Sequence, residues 1–325
     1  MKGALAVAPL VLTALAAAQD RPVPIPAPLP TTAVDASAFP ANSPARYEAP
    51  RRALFVSTRG HADAPGTKDR PLASIRRALE AGASDGPVAI WVDAGAYLEG
   101  SPDDDFALRI EADGTVVSAL PGQAVTVRPS GEGVTGGVAI AASRVTLRGI
   151  SLEGFRSTGI AIGAEGRTLE DLVIASGRVA MPEGGDGVLV WPDHRDSGRP
   201  VVSGLLLEDV EVLGASIGVQ VGSGPAWHVA LVGVAIRNRS NPGGDSGADA
   251  FAIESGDDIL VNGGEFTGAE GDGIDLKATR CAVLAVHVHH VGRNGIKLWH
   301  EGDVIDALVH DCGADASVVL GTKGA

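Results

Sequence analysis

The apolar positions of the chain fall into short, regularly spaced segments from residue 137 onward. Most segments begin with a small residue and continue with two apolar residues that flank one variable position. Their first residues are Gly137, Gly159, Gly187, Gly218, Ala250, Gly273, Gly295 and Ser317, which gives intervals of 22, 28, 31, 32, 23, 22 and 22 residues. A repeat of this length predicts a solenoid, in which each unit buries its apolar face only by stacking on its neighbours.

Alternation of apolar and variable positions within each repeat predicts β-strands with one buried face. Further strands are predicted later in the repeats, for example at 145–147 and 205–207. The longer intervals contain extra residues at 182–186, 192–200 and 241–247. Insertions of this kind collect on one face of a solenoid, often the binding face. Many short strands separated by glycine-containing turns indicate an all-β chain.

The segment before the repeats has a different pattern. Strands are predicted at 54–56, 88–92 and 95–99, and Pro71 is expected to open a short helix that ends before Gly82. This order resembles the entrance of right-handed parallel β-helix proteins, where the helix covers the open end of the solenoid. An uncovered terminal coil would expose apolar core and unpaired backbone groups. The expected fold is an all-β, right-handed parallel β-helix with coils of about 22 residues and an N-terminal capping helix.

Both ends of the chain carry further expectations. Residues 1–18 have Lys2, an apolar stretch and small residues before Gln19, the pattern of a secretory signal peptide. Residues 19–52 are rich in Pro and Ala and are expected to be a linker, followed by the β-helix domain at 53–325. No capping segment follows the last repeat, so truncation at the C-terminus is expected. We expect a secreted monomer without a membrane span.

The net charge limits the classes of partner, and the spacing of the cysteines bears on whether they form a disulfide. The formal net charge is −14 and no Lys/Arg-rich run is present, so a nucleic-acid partner is not expected. An acidic protein also repels an acidic polymer unless a cation mediates the contact. The two cysteines, Cys281 and Cys312, occupy different places in their repeats and are expected to be buried free thiols.

Aligning the repeats on their first strand brings charged side chains to one place. The third strand position carries Asp275 in the sixth repeat and Lys297 in the seventh. The position before the strand carries Asp249, Asp272 and Asn294 in the fifth to seventh repeats. Because neighbouring coils stack about 4.8 Å apart, these residues are expected to be outward-facing neighbours. Clustered carboxylates repel one another unless a cation lies among them, and oxygen ligands suit Ca²⁺.

The aligned positions that carry Asp249, Asp272, Asp275, Asn294 and Lys297 are called the wall below. Three segments of this wall resemble family 9 polysaccharide lyases, which are secreted pectate lyases. They are Gly247-Ala248-Asp249-Ala250-Phe251-Ala252, Asp272-Gly273-Ile274-Asp275 and Gly292-Arg293-Asn294-Gly295-Ile296-Lys297-Leu298. The resemblance implies that Asp249, Asp272 and Asp275 hold Ca²⁺ and that Lys297 is the catalytic base. The family pattern has two consecutive aspartates before the glycine, whereas Gly271 precedes Asp272 here.

The function implied is Ca²⁺-dependent β-elimination on an acidic, pectate-like uronate polymer. Lys277, Arg293 and Asn294 lie close to the wall in sequence and are candidate substrate-binding residues, although Lys277 and Arg293 could equally be ordinary surface charges. A non-catalytic β-helix module for carbohydrate binding or surface adhesion remains an alternative, favoured by the missing second aspartate. The sequence does not name the sugar, because fold does not determine function.

Two other patterns give weaker signals. Asp257 and Asp258 resemble the paired aspartates of polygalacturonase-type glycoside hydrolases, a third candidate class, but are expected to be turn residues. His287, His289 and His290 suggest a transition-metal site. No Cys or carboxylate lies at a suitable sequence spacing, so a solvated strand is the favoured interpretation.

Overall fold

The computed structural model describes residues 52–83, 86–191, 199–222, 224–239, 247–313 and 317–321. The expected signal peptide and all of the expected linker except Arg52 lie outside these residues. Within the described ranges one α-helix and 26 β-strands are present. None of the described helices has the length and apolar character needed to cross a bilayer, since the one present has eight residues.

The elements follow in a regular order along the chain. The first half contains β1 (Arg52–His61), α1 (Ile75–Gly82), β2 (Val88–Val92), β3 (Gly95–Glu99), β4 (Phe106–Ile110), β5 (Val116–Ala119), β6 (Val125–Pro129), β7 (Gly136–Ile140), β8 (Thr146–Arg148), β9 (Ile150–Glu153), β10 (Thr158–Ile162), β11 (Leu169–Ala175), β12 (Arg178–Ala180) and β13 (Asp186–Val190). The second half contains β14 (Val202–Glu208), β15 (Glu211–Leu213), β16 (Ile217–Val221), β17 (Ala226–Val232), β18 (Ala235–Arg237), β19 (Phe251–Asn262), β20 (Glu265–Thr267), β21 (Ile274–Leu284), β22 (His287–Val291), β23 (Ile296–Leu298), β24 (Gly302–Ile305), β25 (Leu308–Cys312) and β26 (Val318–Leu320).

Parallel pairing arranges these strands as three stacked faces. Face 1 runs through β4, β7, β10, β13, β16, the start of β19 and β21, β23 and β26. Face 2 runs through β1, β2, β5, β8, β11, β14, β17, the end of β19 and β21, and β24. Face 3 runs from β3 through β6, β9, β12, β15, β18, β20 and β22 to β25. The expected all-β parallel β-helix is confirmed.

Apolar residues at alternate strand positions build the core. In β10 and β13 the inward positions are Ile160, Ile162, Val188 and Val190, each at most 2% exposed. Stacking places like residues above one another, so that Ile160 pairs with Val188 and Ile162 with Val190. Each coil therefore buries its apolar side against its neighbours, as the solenoid interpretation requires.

Helix α1 covers the N-terminal side of this core. It begins at Ile75 and not at Pro71, because Ser74 caps it and accepts a hydrogen bond from the Arg77 amide. Glu99 of β3 reinforces the cap: its oxygens accept bonds from Ser74 Oγ at 2.7 Å and from the Ile75 amide at 2.6 Å. Ile75, Ala78 and Leu79 of the helix are buried, so the expected capping role is confirmed.

The strand register agrees with the repeat alignment, whereas one predicted turn is part of a strand. The column aligned from the repeats forms as predicted and continues one coil earlier, where Arg109 of β4 pairs with Ala139. The expectation that Asp257 and Asp258 lie in a turn between strands is wrong: both belong to β19, which bends between faces 1 and 2 with a register shift between Ile253 and Gly256. Cys281 and Cys312 are free thiols, the first buried and the second partly exposed.

Candidate functional site

The candidate site lies on face 1, across the coils of β19, β21 and β23. The strand register pairs Ala252 with Asp275 and Asp275 with Lys297, as the repeat alignment predicts. Lys297 is partly exposed, whereas Asp275 is only 4% exposed. Asp275 therefore lies on the outer side of the sheet but beneath other side chains, which sequence alignment does not reveal.

Hydrogen bonds between successive coils link Asp249, Asp272 and Asn294 as a row. Asp249 Oδ1 accepts the Asp272 amide at 2.6 Å. Asp272 Oδ1 accepts both the amide and the side-chain Nδ2 of Asn294, each at 2.8 Å. The expected stacking of these three residues is thus present, and each side chain ties its coil to the next one.

Lys297 lies among the carboxylates. Its Nζ is 3.2 Å from Asp272 Oδ2 and 3.6 Å from Asp275 Oδ2. The same ammonium group is 4.6 Å from the centre of the Trp299 ring, within the range of a cation–π contact. Trp299 in turn donates its indole N–H to Asp275 Oδ1 at 2.6 Å, which explains why Asp275 is covered.

The other candidate binding residues surround this group. Lys277 Nζ contacts Glu254 Oε2 at 2.6 Å and Asp275 Oδ2 at 3.7 Å. Arg293 is exposed, and its guanidinium lies against Gly247. The wall therefore presents three cationic side chains, Lys277, Arg293 and Lys297, over a base of buried carboxylates.

Burial and mutual repulsion alter the titration of two aspartates. Burial, with the negative charges of Asp275 and Asp272, raises the pKa of Asp249 to about 7. Burial also raises the pKa of Asp275, although Lys297, Trp299 and Lys277 act in the opposite direction. Clustered carboxyl groups with raised pKa values are typical of functional sites, and structural ion-pair networks produce them too.

A bound Ca²⁺ ion does not fit the carboxylates as they are arranged here. Five of their six oxygens already face N–H or ammonium groups: Asp249 Oδ1, both oxygens of Asp272 and both oxygens of Asp275. When one oxygen is taken from each of the three aspartates, no choice brings all three atoms within 4.8 Å of one another in the described part of the chain. Ca²⁺ takes six to eight oxygen ligands, so this arrangement lacks the converging set that it needs.

Gly271 stands where the family pattern has the first of its two aspartates, and the structure shows why an aspartate does not fit there. A Cβ atom at this position would lie 2.3 Å from Asp249 Oδ1 and 2.4 Å from the Gly247 carbonyl oxygen. A second aspartate before Asp272 would therefore collide with the carboxylate that caps the Asp272 amide. The row of hydrogen bonds and the family's paired aspartates are incompatible at this backbone position.

Sequence reasoning gave little weight to a second row of side chains beside the site. Two positions after the outward residue of the face-1 column, five successive coils carry Trp191, Gly222, Glu254, Lys277 and Trp299. Trp191 and Trp299 are 51% and 37% exposed, although large aromatic side chains are normally covered. Extending the repeat alignment by two positions would have shown this row.

Comparisons with known proteins support the fold and leave the activity open. No protein-family model and no curated protein sequence matches the chain significantly. Six chains of solved structures do resemble it. A GH136 lacto-N-biosidase from Eubacterium ramulus aligns with a TM-score of 0.50 at 10% identity, over 80% of this chain and 55% of that one.

Two further solved structures align with lower scores. A rhamnogalacturonan lyase aligns with a TM-score of 0.45 at 13% identity, over 78% of this chain and 72% of that one. The pectate lyase Pel9A aligns with a TM-score of 0.41 at 13% identity, over 82% of this chain and 79% of that one. At these identities the likeness concerns the fold alone, so the function has to be argued from the site.

Proposed function

We propose that this chain is an exported polysaccharide lyase that cleaves a uronate polymer by β-elimination. The observation that carries the proposal is the position of Lys297, a partly exposed amine held between Asp272 and Asp275, with Lys277 and Arg293 nearby. The segments resembling family 9 polysaccharide lyases lie at this same wall. The signal-like pattern of residues 1–18 supports export.

In the proposed reaction, Lys297 first loses a proton to solvent, and its neutral Nζ then takes the proton from C5 of a uronate residue. The electron pair of that C–H bond forms the C4–C5 double bond, and the bond from C4 to the glycosidic oxygen breaks. Water supplies the proton for the leaving oxygen. A positioned general base of this kind contributes about 10²–10⁴-fold to the rate. Asp272 and Asp275 fix the position of the amine.

Lys277 and Arg293 are the proposed partners of substrate carboxylates. Charge-assisted hydrogen bonds from such groups are about twice as strong as neutral ones, and they would offset the repulsion from a chain of net charge −14. Trp191 and Trp299 lie four coil steps apart in one row, which corresponds to roughly 19 Å at the usual strand spacing. The proposed substrate path is this row, with an aromatic face at each end.

Only the resemblance to family 9 polysaccharide lyases implies a role for Ca²⁺. Asp249, Asp272 and Asp275 would supply the oxygens, and the ion would neutralise the substrate carboxylate. Because these oxygens are now occupied by N–H and ammonium donors, binding would require Lys297 and Trp299 to move away. The activity therefore has to be measured both with and without Ca²⁺.

The test is release of near-ultraviolet-absorbing unsaturated products from a panel of uronate polymers, run with Ca²⁺ and with excess chelator. We expect a rise in absorbance on at least one polymer, and its loss in Lys297→Ala. Lys297→Arg is the sharper variant, because arginine keeps the charge but cannot be deprotonated to act as a base. Lys68→Ala, an exposed lysine on a distant loop, is the matched control.

The outcomes separate the candidate functions. Retained activity in Lys297→Arg would show that the residue acts through its charge and that the assignment of the base is wrong. New reducing ends without the ultraviolet signal would indicate a glycoside hydrolase. Binding of uronate polymers without any product would indicate a non-catalytic module. The observation favouring that last alternative is that Asp272 and Asp275 hold Lys297 in ion pairs.

A further inference from the structure

A cluster of histidines lies on face 3, away from the wall described above. His287 and His289 of β22 point to the same side of their strand, as alternate residues do. The register places Glu265 of β20 beside His287, and His310 of β25 beside His289. Three successive coils thus contribute to one group, although members from different coils are more than 20 residues apart in sequence.

The potential ligand atoms are already close together. Those of Glu265, His287 and His289 all lie within 4.8 Å of one another. Glu265 Oε1 is 3.1 Å from His289 Nε2, and His287 Nε2 is 2.9 Å from His310 Nε2. The His289 and His310 rings are stacked, with their planes inclined by 8°.

These separations suit a tetrahedral transition-metal ion. With metal–nitrogen and metal–oxygen distances near 2.0–2.1 Å, the ligand atoms of a tetrahedral Zn²⁺ site lie about 3.3 Å apart. The Glu265–His289 separation of 3.1 Å and the His287–His310 separation of 2.9 Å are close to that value, although His310 is outside the group whose ligand atoms all lie within 4.8 Å of one another. Imidazole nitrogens with one carboxylate favour Zn²⁺, Co²⁺, Ni²⁺ or Cu²⁺ over Ca²⁺ and Mg²⁺.

The surroundings orient the ligands in the manner of an outer coordination shell. His289 Nδ1 lies 3.3 Å from Thr267 Oγ1, and His310 Nδ1 lies 2.8 Å from Asp311 Oδ2. In both rings an acceptor at Nδ1 leaves Nε2 free to bind a metal. Arg237 Nε holds the other oxygen of Glu265 at 2.7 Å, so that Oε1 is the oxygen turned toward the histidines. His289 Nδ1 also lies 2.6 Å from His290 Nδ1.

We propose that Glu265, His287 and His289 form a binding site for a divalent transition-metal ion, with His310 as the fourth ligand. The carboxylate that sequence spacing did not supply comes from the preceding coil. A metal held here would link the coils of β20, β22 and β25 side by side. Because each coil of a solenoid is stabilised only by its neighbours, such a link should raise the resistance of this region to unfolding.

The test is a titration of the metal-free full chain with Zn²⁺, and with Co²⁺ as a spectroscopic probe, at a pH where the histidines are neutral. We expect saturable binding of one ion per chain, a tetrahedral Co²⁺ spectrum and a higher unfolding temperature with Zn²⁺. His289→Ala and Glu265→Gln should each weaken binding by at least about tenfold. His61→Ala, a histidine on β1, should leave affinity unchanged.

Cys312→Ser distinguishes this site from a thiol site, because Cys312 lies in the same strand as His310. Unchanged affinity in that variant supports the proposal. Loss of binding there, equal affinity in His289→Ala and the unaltered chain, or no saturable binding at all would overturn it. Far-ultraviolet circular dichroism of each metal-free variant checks that a loss of binding is not a loss of fold.

Discussion

Removal of the Asp272 carboxylate tests whether the row of hydrogen bonds holds the candidate site together. Asp272 is 3% exposed and accepts three bonds: two from Asn294 at 2.8 Å and one from Lys297 at 3.2 Å. Asp272→Ala leaves these donors without their acceptor. An unsatisfied buried donor costs about 1–3 kcal/mol, while the Lys297 side chain, 24% exposed, recovers part of its loss through hydration.

The three donors that lose their acceptor would together cost more than about 3 kcal/mol. Removing the negative charge also relieves the repulsion from Asp249 and Asp275, so the expected net loss of stability is about 3 kcal/mol. For a chain of this size that corresponds to a fall of roughly 4–5 °C in the unfolding midpoint. Asp272→Asn keeps one oxygen for Asn294 but turns an amide N–H₂ toward Lys297. It should cost about half as much, roughly 1–2 kcal/mol.

Urea and thermal unfolding followed by circular dichroism provide the measurement. Asp63→Ala, at an exposed position, is the matched control and should lie within about 0.5 kcal/mol of the unaltered chain. A value for Asp272→Ala as small as that of the control would refute the structural role of the carboxylate. A greater loss for Asn than for Ala would refute the assignment of the loss to the two Asn294 bonds.

Three further predictions concern the site's backbone, the capping helix and the aromatic row. Gly271→Ala should lower stability by about 1–3 kcal/mol in urea unfolding, because its Cβ would lie 2.3 Å from Asp249 Oδ1; an unchanged midpoint would contradict the incompatibility with paired aspartates. Burial raises the pKa of Glu99 above 4.5 despite its hydrogen bonds, so the folded chain retains a proton that the unfolded chain has lost. Stability should therefore fall as pH rises from below 4.5 through the folded-state pKa, and this slope should be absent in Glu99→Gln. Trp191→Ala should weaken the binding of long uronate oligomers in calorimetry and leave the binding of short ones unchanged; equal weakening of both would exclude the proposed path.

The repeats predicted the fold because inward positions obey a simple rule. Every coil must place apolar residues at the same strand positions, so the sequence alignment reproduced the pairing of Ala252, Asp275 and Lys297. The coil of β4 was missed because it lacks the initial Gly-apolar pair and begins with Phe106 and Ala107. The helix start was placed too early because Pro71 is a favourable first residue, whereas the Ser74 and Glu99 cap decides the boundary.

Side-chain arrangement at the site was less predictable. Alignment placed Asp275 and Lys297 side by side but could not show that Trp299 covers Asp275. The alignment also could not show that the Lys297 ammonium group lies between Asp272 and Asp275, where the family resemblance implies a Ca²⁺ ion. These outcomes depend on rotamers and on residues one coil away. The same limit applies to Glu265, whose contact with His289 arises from stacking and not from sequence proximity.

The two clusters show how one solenoid can carry separate chemistry on different faces. Each coil crosses all three faces, and its inward residues remain apolar whichever side chains lie outside. In the aligned face-1 column the outward residue is Arg109 in the coil of β4, uncharged in the coils from Ala139 to Ala252, and charged again at Asp275 and Lys297. Stability is thus set mainly by inward positions and function by outward ones. Charged groups on faces 1 and 3 of the same coils can therefore serve different ligands without competing for the core.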